Sequence, residues 1–347
     1  MATTTNTGTR TRPGSDQNLI SRALSSRGLG VAALAFALLF PFVIATPYAL
    51  SVMTSAAIYV MLAVGLNIVV GYCGLLDLGF AAFFAVGAYT SGVISTEFDI
   101  PILATIPAVI VVTVVAGLII GGPTLRLRSD YLAIVTLGFG EIIRITANNL
   151  DITGGPSGIF GIPGIDLFGL DLSSPAAFYY FVVVVVTIAV IGAARLGRSR
   201  LGRAWRFIRE DEDAAEAMGV HTYRVKLAAY IAGAVWGGLA GMLFGVQLTA
   251  ISPASFTFLQ SALILMAVVL GGMGSTPGVI AGALFVSLAP ELLRGAADYR
   301  YFAFGLILIT VIIFRPQGVW PVRAREKERP DQGDPDPHGA LAKEAIS

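Results

Sequence analysis

Glu141 and Arg144 stand three residues apart in the apolar run LGFGEIIRI. On a helix that spacing places both on one face, where a carboxylate and a guanidinium pair and lower the penalty of burying either charge. An ionisable group inside a span is a pathway candidate by default, although a buried pair also serves packing specificity. Asp77 lies in GYCGLLDLGF, among glycines and between two apolar runs. Its carboxylate suits either the free amides of a helix start or the pathway itself. Asn67, Asn148, Gln247 and Gln260 are further polar groups in or beside apolar runs.

Two apolar stretches are interrupted by glycine together with a polar residue: Val69–Phe83, and Val268–Gly282 with its Gly271, Gly272 and Gly274. Interrupted helices in corresponding places mark transport pathways, because freed backbone groups meet substrate there. The same letters also describe two tight hairpin turns, and both readings stand. Gly233, Gly237, Gly241 and Gly245 recur every fourth residue and form a smooth ridge that admits another backbone closely. Tight packing within the chain is the favoured reading of that ridge, and a subunit contact is the other.

Several chemistries are excluded. The only lysines are Lys226, Lys327 and Lys343, and none follows a glycine, so no phosphate-cradling GxxxxGK[ST] loop exists. His221 and His338 are the only histidines and Cys73 the only cysteine, which leaves no HExxH motif, no expected metal centre and no disulfide framework. GxSxG does not occur. Neither an ATPase nor a hydrolase is expected, and a net charge of +1 gives no field for nucleic acid.

The elements that must position these residues are membrane spans. The chain is 55% hydrophobic and 13% charged over 347 residues, with a mean hydropathy of +0.78; soluble domains carry about a quarter charged residues. Apolar runs fall near 29–47, 50–71, 76–95, 101–121, 131–148, 176–195, 227–249, 257–273, 277–293 and 300–315. They predict an all-α polytopic membrane protein with about ten spans of about 20 residues each, some of them open to being half-helices. Arginines gather before the first run, after the fourth (Arg126, Arg128), after the sixth (Arg195 to Arg209) and after the last. That bias places these loops and both termini in the cytoplasm, with Arg294 and Arg300 as exceptions. The expected divisions are a cytoplasmic tail over 1–28, a permease domain over 29–322 and a disordered cytoplasmic tail over 323–347. The start is too polar for a signal peptide, and Ala33–Ala49 reads as a retained first span.

Arg209–Lys226, REDEDAAEAMGVHTYRVK, is the one long charged island inside the apolar chain, within a loop of about 196–226. Asp213 to Ala217 favours a helix and Gly219 stops it. A short helix held at a membrane face between two spans is a surface on which another protein can push. The outer loop Asn149–Pro175, with TGGPSGIFGIPG, reads residue by residue as a folded loop with tight turns; as a whole it reads as a docking or gating surface.

Six blocks in order then carry a resemblance: Gly65–Thr90, Leu125–Ile145, Arg209–Gly219, Ser252–Ser275, Pro290–Gly295 and Phe314–Pro321. They resemble the M-type permease of bacterial branched-chain amino-acid ABC importers from about Gly65 to Pro321. The resemblance implies a second homologous permease, two ATPase subunits holding ATP and Mg, and an extracytoplasmic binding protein that delivers leucine, isoleucine or valine. It also implies a bacterial inner-membrane location and alternating access without covalent chemistry in this chain. The family's coupling segment, E-A-A followed by Gly, matches Asp213-Ala214-Ala215 and Gly219, with an aspartate in place of the first glutamate. Asp211, Glu212, Asp213, Ala214, Ala215, Glu216 and Gly219 are therefore the expected ATPase-coupling residues. The same machine carrying urea, short amides or aromatic acids is the alternative within the class. A stand-alone channel or secondary transporter is the rival outside it, and needs no charged coupling helix.

Overall fold

A computed structural model of the chain describes residues 46–127, 129–167 and 170–292, with positions 38, 39, 41, 305, 306, 309 and 310 besides. The tails expected over 1–28 and 323–347, the FRPQGVWP block and nearly all of the first and last expected spans lie outside the described residues. Each expected apolar run between 50 and 292 contains a helix, although the run expected over 76–95 is helical only from Ala81. Five helical stretches among the described residues are long and apolar enough to cross a membrane: 47–72, 102–124, 175–198, 222–248 and 253–271.

Helix α1 (Pro47–Leu66) starts where Thr46 caps the amide of Ala49 and Pro47 takes the first helical position, whose amide has no helical partner to lose. It runs into one wide turn over Asn67–Tyr72, with i→i+5 geometry. Helix α2 (Ala81–Glu97) follows an irregular stretch, and α3 (Ile106–Thr124) and α4 (Ser129–Asn149) come next. Helix α5 (Pro175–Arg198) is capped by Ser174 as α1 is by Thr46. Then come α6 (Arg200–Glu210), the short α7 (Glu212–Ala217), the long α8 (Thr222–Leu248), α9 (Phe258–Gly271) and α10 (Thr276–Leu292).

Helix α8 is the axis of the bundle. It packs against α1, α2 and α3, and lies between α1 and α2 over most of their length. The glycine ridge explains how. A Cβ on Gly237 would lie 3.1 Å from Cβ of Phe83, and one on Gly241 would press on the backbone of Phe84 and Ala88. Gly233 faces Gly65 of α1 and Val69 of the wide turn, and Gly245 faces Ile162 and Ile251. The ridge thus lies against this chain's own segments, helical along most of its length and loop or strand at Gly245. Between spans the gain is dispersion rather than hydrophobic burial, so close approach is what stabilises the contact. Phe83 fills the seam with an edge-on contact to Tyr230, ring centroids 5.4 Å apart.

The two interrupted stretches differ. Val268–Gly282 is a helical hairpin: α9 and α10 pack antiparallel, with Gly271 against Gly278 and Gly282 against Ala267. Its turn uses positive φ at Gly272 (106°) and Gly274 (87°), a region that side chains with a Cβ rarely enter. Val69–Phe83 is not a hairpin, because α8 lies between the helices it joins.

The loop after α4 is folded. Strand β1 (Ile159–Phe160) pairs antiparallel with β4 (Ala250–Ile251), and β2 (Asp166–Leu167) pairs with β3 (Leu170–Asp171). Gly158, at φ 80°, passes so close to the carbonyl of Ile251 that no side chain fits. This β1–β4 ladder ties the α4–α5 loop to the α8–α9 loop.

Candidate functional site

The charged island folds as two helices and a turn. Ser199 caps α6 through the amide of Gly202 at 3.2 Å. Trp205 turns inward, fully buried, and its indole donates to the carbonyl of Val225 at 2.8 Å. This pins α6 to the foot of α8. Asp211, in an extended conformation, ends α6 and starts α7, and its Oδ1 accepts the amide of Ala214 at 2.9 Å. Glu212 and Asp213 in the first turn suit the positive end of the helix.

Gly219, at φ 84°, closes α7. Its amide donates to the carbonyl of Glu216 at 2.9 Å, and the amide of Val220 donates to Ala215 at 3.0 Å. That pair of bonds is a Schellman stop, which needs a left-handed residue at the Gly219 position. The helix therefore has a defined inner and outer side. Ala215 is fully buried and Ala214 half-buried, while Asp213, Glu216, Met218 and Gly219 are exposed. Met218 stands 76% exposed, and the charge pattern gave no signal for it. A cleft of about 340 Å³ opens beside it, lined by Glu216, Gly219, His221, Tyr223 and Arg224 among others.

Two cations that the sequence reading did not single out hold this surface to the bundle. Lys226, a buried residue of α8, pairs with Glu212. Arg209, at the end of α6, donates from its guanidinium to the carbonyl of Gly71 in the wide turn. Gly74, at φ 76°, leaves room for that arginine: a Cβ there would lie 2.9 Å from Cγ of Arg209. A glycine-rich break facing an arginine from a distant loop is invisible to spacing alone, because it depends on tertiary contact.

The break that Arg209 touches also touches the hairpin. Oδ1 of Asn67 accepts the amide of Gly274 at 2.8 Å, and the Tyr72 hydroxyl lies 2.9 Å from that of Thr276. Asn67, Gly271 and Gly272 are buried. The wide turn, the α9–α10 hairpin and α6 therefore meet at one end of the bundle, the end that carries the arginine-rich loop.

Asp77 does not cap α2. Its Oδ1 accepts the amide of Gly79 at 2.8 Å, within the connecting loop, and the first amide of α2 at Ala81 is met instead by Ser261 of α9 at 2.9 Å. An aspartate four residues before the helix closes its own tight turn more readily than it reaches forward. Leu78 next to it donates to Thr136 of α4 at 3.1 Å, so this loop is clamped between α4 and α9. Glu141 and Arg144 do pair, Nε to Oε2 at 2.8 Å, but they are not buried: each side chain is about one-third exposed, 34% and 31%. They lie on a face of α4 that other described residues leave partly open. Among the described residues no cluster of histidine, cysteine and carboxylates could hold a metal.

Comparison with known proteins decides the family. The family model described as branched-chain amino acid transport system, permease component, matches residues 48–314. The chain belongs to that family. It is 40% identical over 316 residues to the high-affinity branched-chain amino acid transport system permease protein LivM of Escherichia coli, covering 84% of this chain and 74% of that one. It is 28% identical to the high-affinity branched-chain amino acid transport system permease protein BraD of Pseudomonas aeruginosa, covering 77% of this chain and 92% of that one, and 24% identical to LivH of Salmonella typhimurium over the same shares. No solved structure matches. With these relatives and its long apolar helices, the chain is a multi-pass membrane protein and a transport permease subunit rather than an enzyme.

Proposed function

We propose that this permease carries leucine, isoleucine or valine inward as the M-type half of an ATP-driven importer. Its partners are a homologous second permease, two ATPases that hold ATP and Mg, and an extracytoplasmic binding protein. The chain crosses the bacterial inner membrane about ten times, over 29–322, with cytoplasmic tails at 1–28 and 323–347. The ATPases dock on Asp213, Glu216, Met218 and Gly219 at the exposed side of α7, while Asp211, Glu212, Ala214 and Ala215 shape and seat that helix.

One observation carries the reading. A capped, outward-facing short helix is tied by Arg209 to Gly71, and through that turn to Asn67 and Gly274. Motion of α7 therefore has a path of direct contacts to two interrupted segments. Any shift between inward-open and outward-open states must come from different contacts in the two states, and these are contacts that can be exchanged. Asp77 sits in the same break and is a candidate for the pathway wall.

The test is purification of the assembly from native membranes, followed by ATP hydrolysis and uptake measurements with leucine-loaded binding protein. Recovery of two ATPases and a second permease, with hydrolysis stimulated by the loaded binding protein, is expected. Deletion of 213–219 is expected to abolish ATP-dependent uptake while the chain still inserts. Unimpaired uptake after the deletion overturns the coupling assignment. Assembly without a response to leucine overturns the substrate, and solute passage by the purified chain alone overturns the importer.

A further inference from the structure

Helix α4 is 21 residues long, about 31 Å, and Glu141 lies about 18 Å from its start. Arg144 follows at about 22 Å, so the pair lies past the midpoint of α4, an expected span that is not among the five stretches long and apolar enough to cross a membrane. The pair is incomplete. Arg144 uses only Nε, and neither terminal nitrogen of its guanidinium has a hydrogen bond among the described residues; Oε1 of Glu141 has none either. Such a fork and such an oxygen, about one-third exposed, are strongly unfavourable against hydrocarbon. They require water, a ligand or another polar surface.

A cleft next to Glu141 is lined by Leu78, Leu137, Phe256, Thr257, Phe258 and Ser261. The cleft holds only about 10 Å³, room for about one water, and Arg144 does not line it, so an amino acid would lie outside it, over the exposed pair. On the cleft wall Phe256 packs edge-on with Phe84, centroids 5.2 Å apart, and with Phe244 at 6.2 Å. Gly138, one turn before Glu141, faces open space: a Cβ there would meet nothing within 4 Å.

We propose that Arg144 and Glu141 form a transient subsite for a zwitterionic amino acid on its way through the membrane. The two terminal nitrogens of Arg144 take the α-carboxylate as a fork, the geometry that distinguishes arginine from lysine. Oε1 of Glu141 takes the α-ammonium. With the existing Nε–Oε2 contact this makes an alternating ring of four charges that adds no net charge to the span. The aliphatic side chain then lies along Leu137 and Phe258. This inference rests on the amino-acid importer reading and adds to it which groups of this chain meet the substrate.

The test uses the complete importer in proteoliposomes. Failure of the unsubstituted complex to import leucine would count against the importer reading, separately from the subsite. Arg144→Gln and Glu141→Gln are each expected to lower leucine uptake at subsaturating substrate by at least about tenfold, as loss of a charge-assisted hydrogen bond does. Arg144→Lys is expected to recover only part, because one ammonium cannot replace a fork. Uptake unchanged by both glutamine variants overturns the proposal. Arg144→Cys, in a Cys73→Ser background, gives a second readout that does not depend on transport. An anionic, water-soluble thiosulfonate is expected to label it in the assembled complex. A thiol at 144 that stays unreactive with and without ATP means that lipid or a partner subunit covers the position, and overturns the proposal.

Discussion

Arg209 donates to the carbonyl of Gly71, across 138 positions of sequence, and so joins the end of α6 to the wide turn that ends the α1 span. Arg209 stands three residues before the first residue of α7, and Gly71 lies one position before Tyr72, which reaches Thr276. The short charged helix and both interrupted segments are thereby parts of one contact network.

Replacing Arg209 tests that network. Arg209→Ala leaves the Gly71 carbonyl without its partner and opens space beside Gly74. The expected result is a fall in ATP-driven uptake of about tenfold, the size of one lost charge-assisted bond, in a complex that still assembles. Uptake divided by ATP hydrolysed is the measurement, and an unchanged ratio would show that the contact carries no motion.

Lys226 and Glu212 make a second test, on stability. Lys226 is buried while Glu212 is nearly half exposed. Glu212→Ala strands a buried cation, and should destabilise by about 1–2 kcal/mol, less than a fully enclosed pair would give because Glu212 is partly solvated. Lys226→Met combined with Glu212→Gln removes the stranded charge as well as the pair, and should be the milder change. Thermal unfolding in detergent ranks the two variants; the opposite order would mean that water reaches Lys226.

The glycine ridge offers a contrast within one helix. A Cβ at Gly241 would collide with the carbonyl of Phe84 and come within 2.8 Å of the amide of Ala88, which are backbone atoms that cannot move aside cheaply. At Gly245 the nearest atoms are methyl groups at 3.4 and 3.5 Å, ordinary contact. Gly241→Ala should therefore destabilise by about 1–3 kcal/mol, the range for overpacking. Gly245→Ala should fold like the unsubstituted protein, with a small gain from helix propensity. Equal melting temperatures for the two variants would contradict the close approach of α8 to α2.

The sequence by itself determined the class of molecule and the position of its exposed island. Hydropathy runs and arginine placement follow from transfer free energies and are local properties, so they can be read from one chain. The same holds for α7: a capping aspartate, good helix formers and a glycine stop are all encoded within nine residues, Asp211 to Gly219. Tertiary structure decided the rest. Asp77 reads equally well as a cap or a pathway group until Gly79 and Ser261 take their places. The two glycine-rich interruptions look alike in sequence, yet one is a hairpin and the other a break wrapped around α8. Arg209 and Lys226 look like members of a solvated charge run, and become connectors only because Gly71 and Glu212 are brought to them. Glu141 and Arg144 satisfy a helical spacing rule, but the exposure of the pair depends on which helices stop short of covering α4. Periodicity records which residues share a face; what that face meets depends on contacts between segments far apart in the chain.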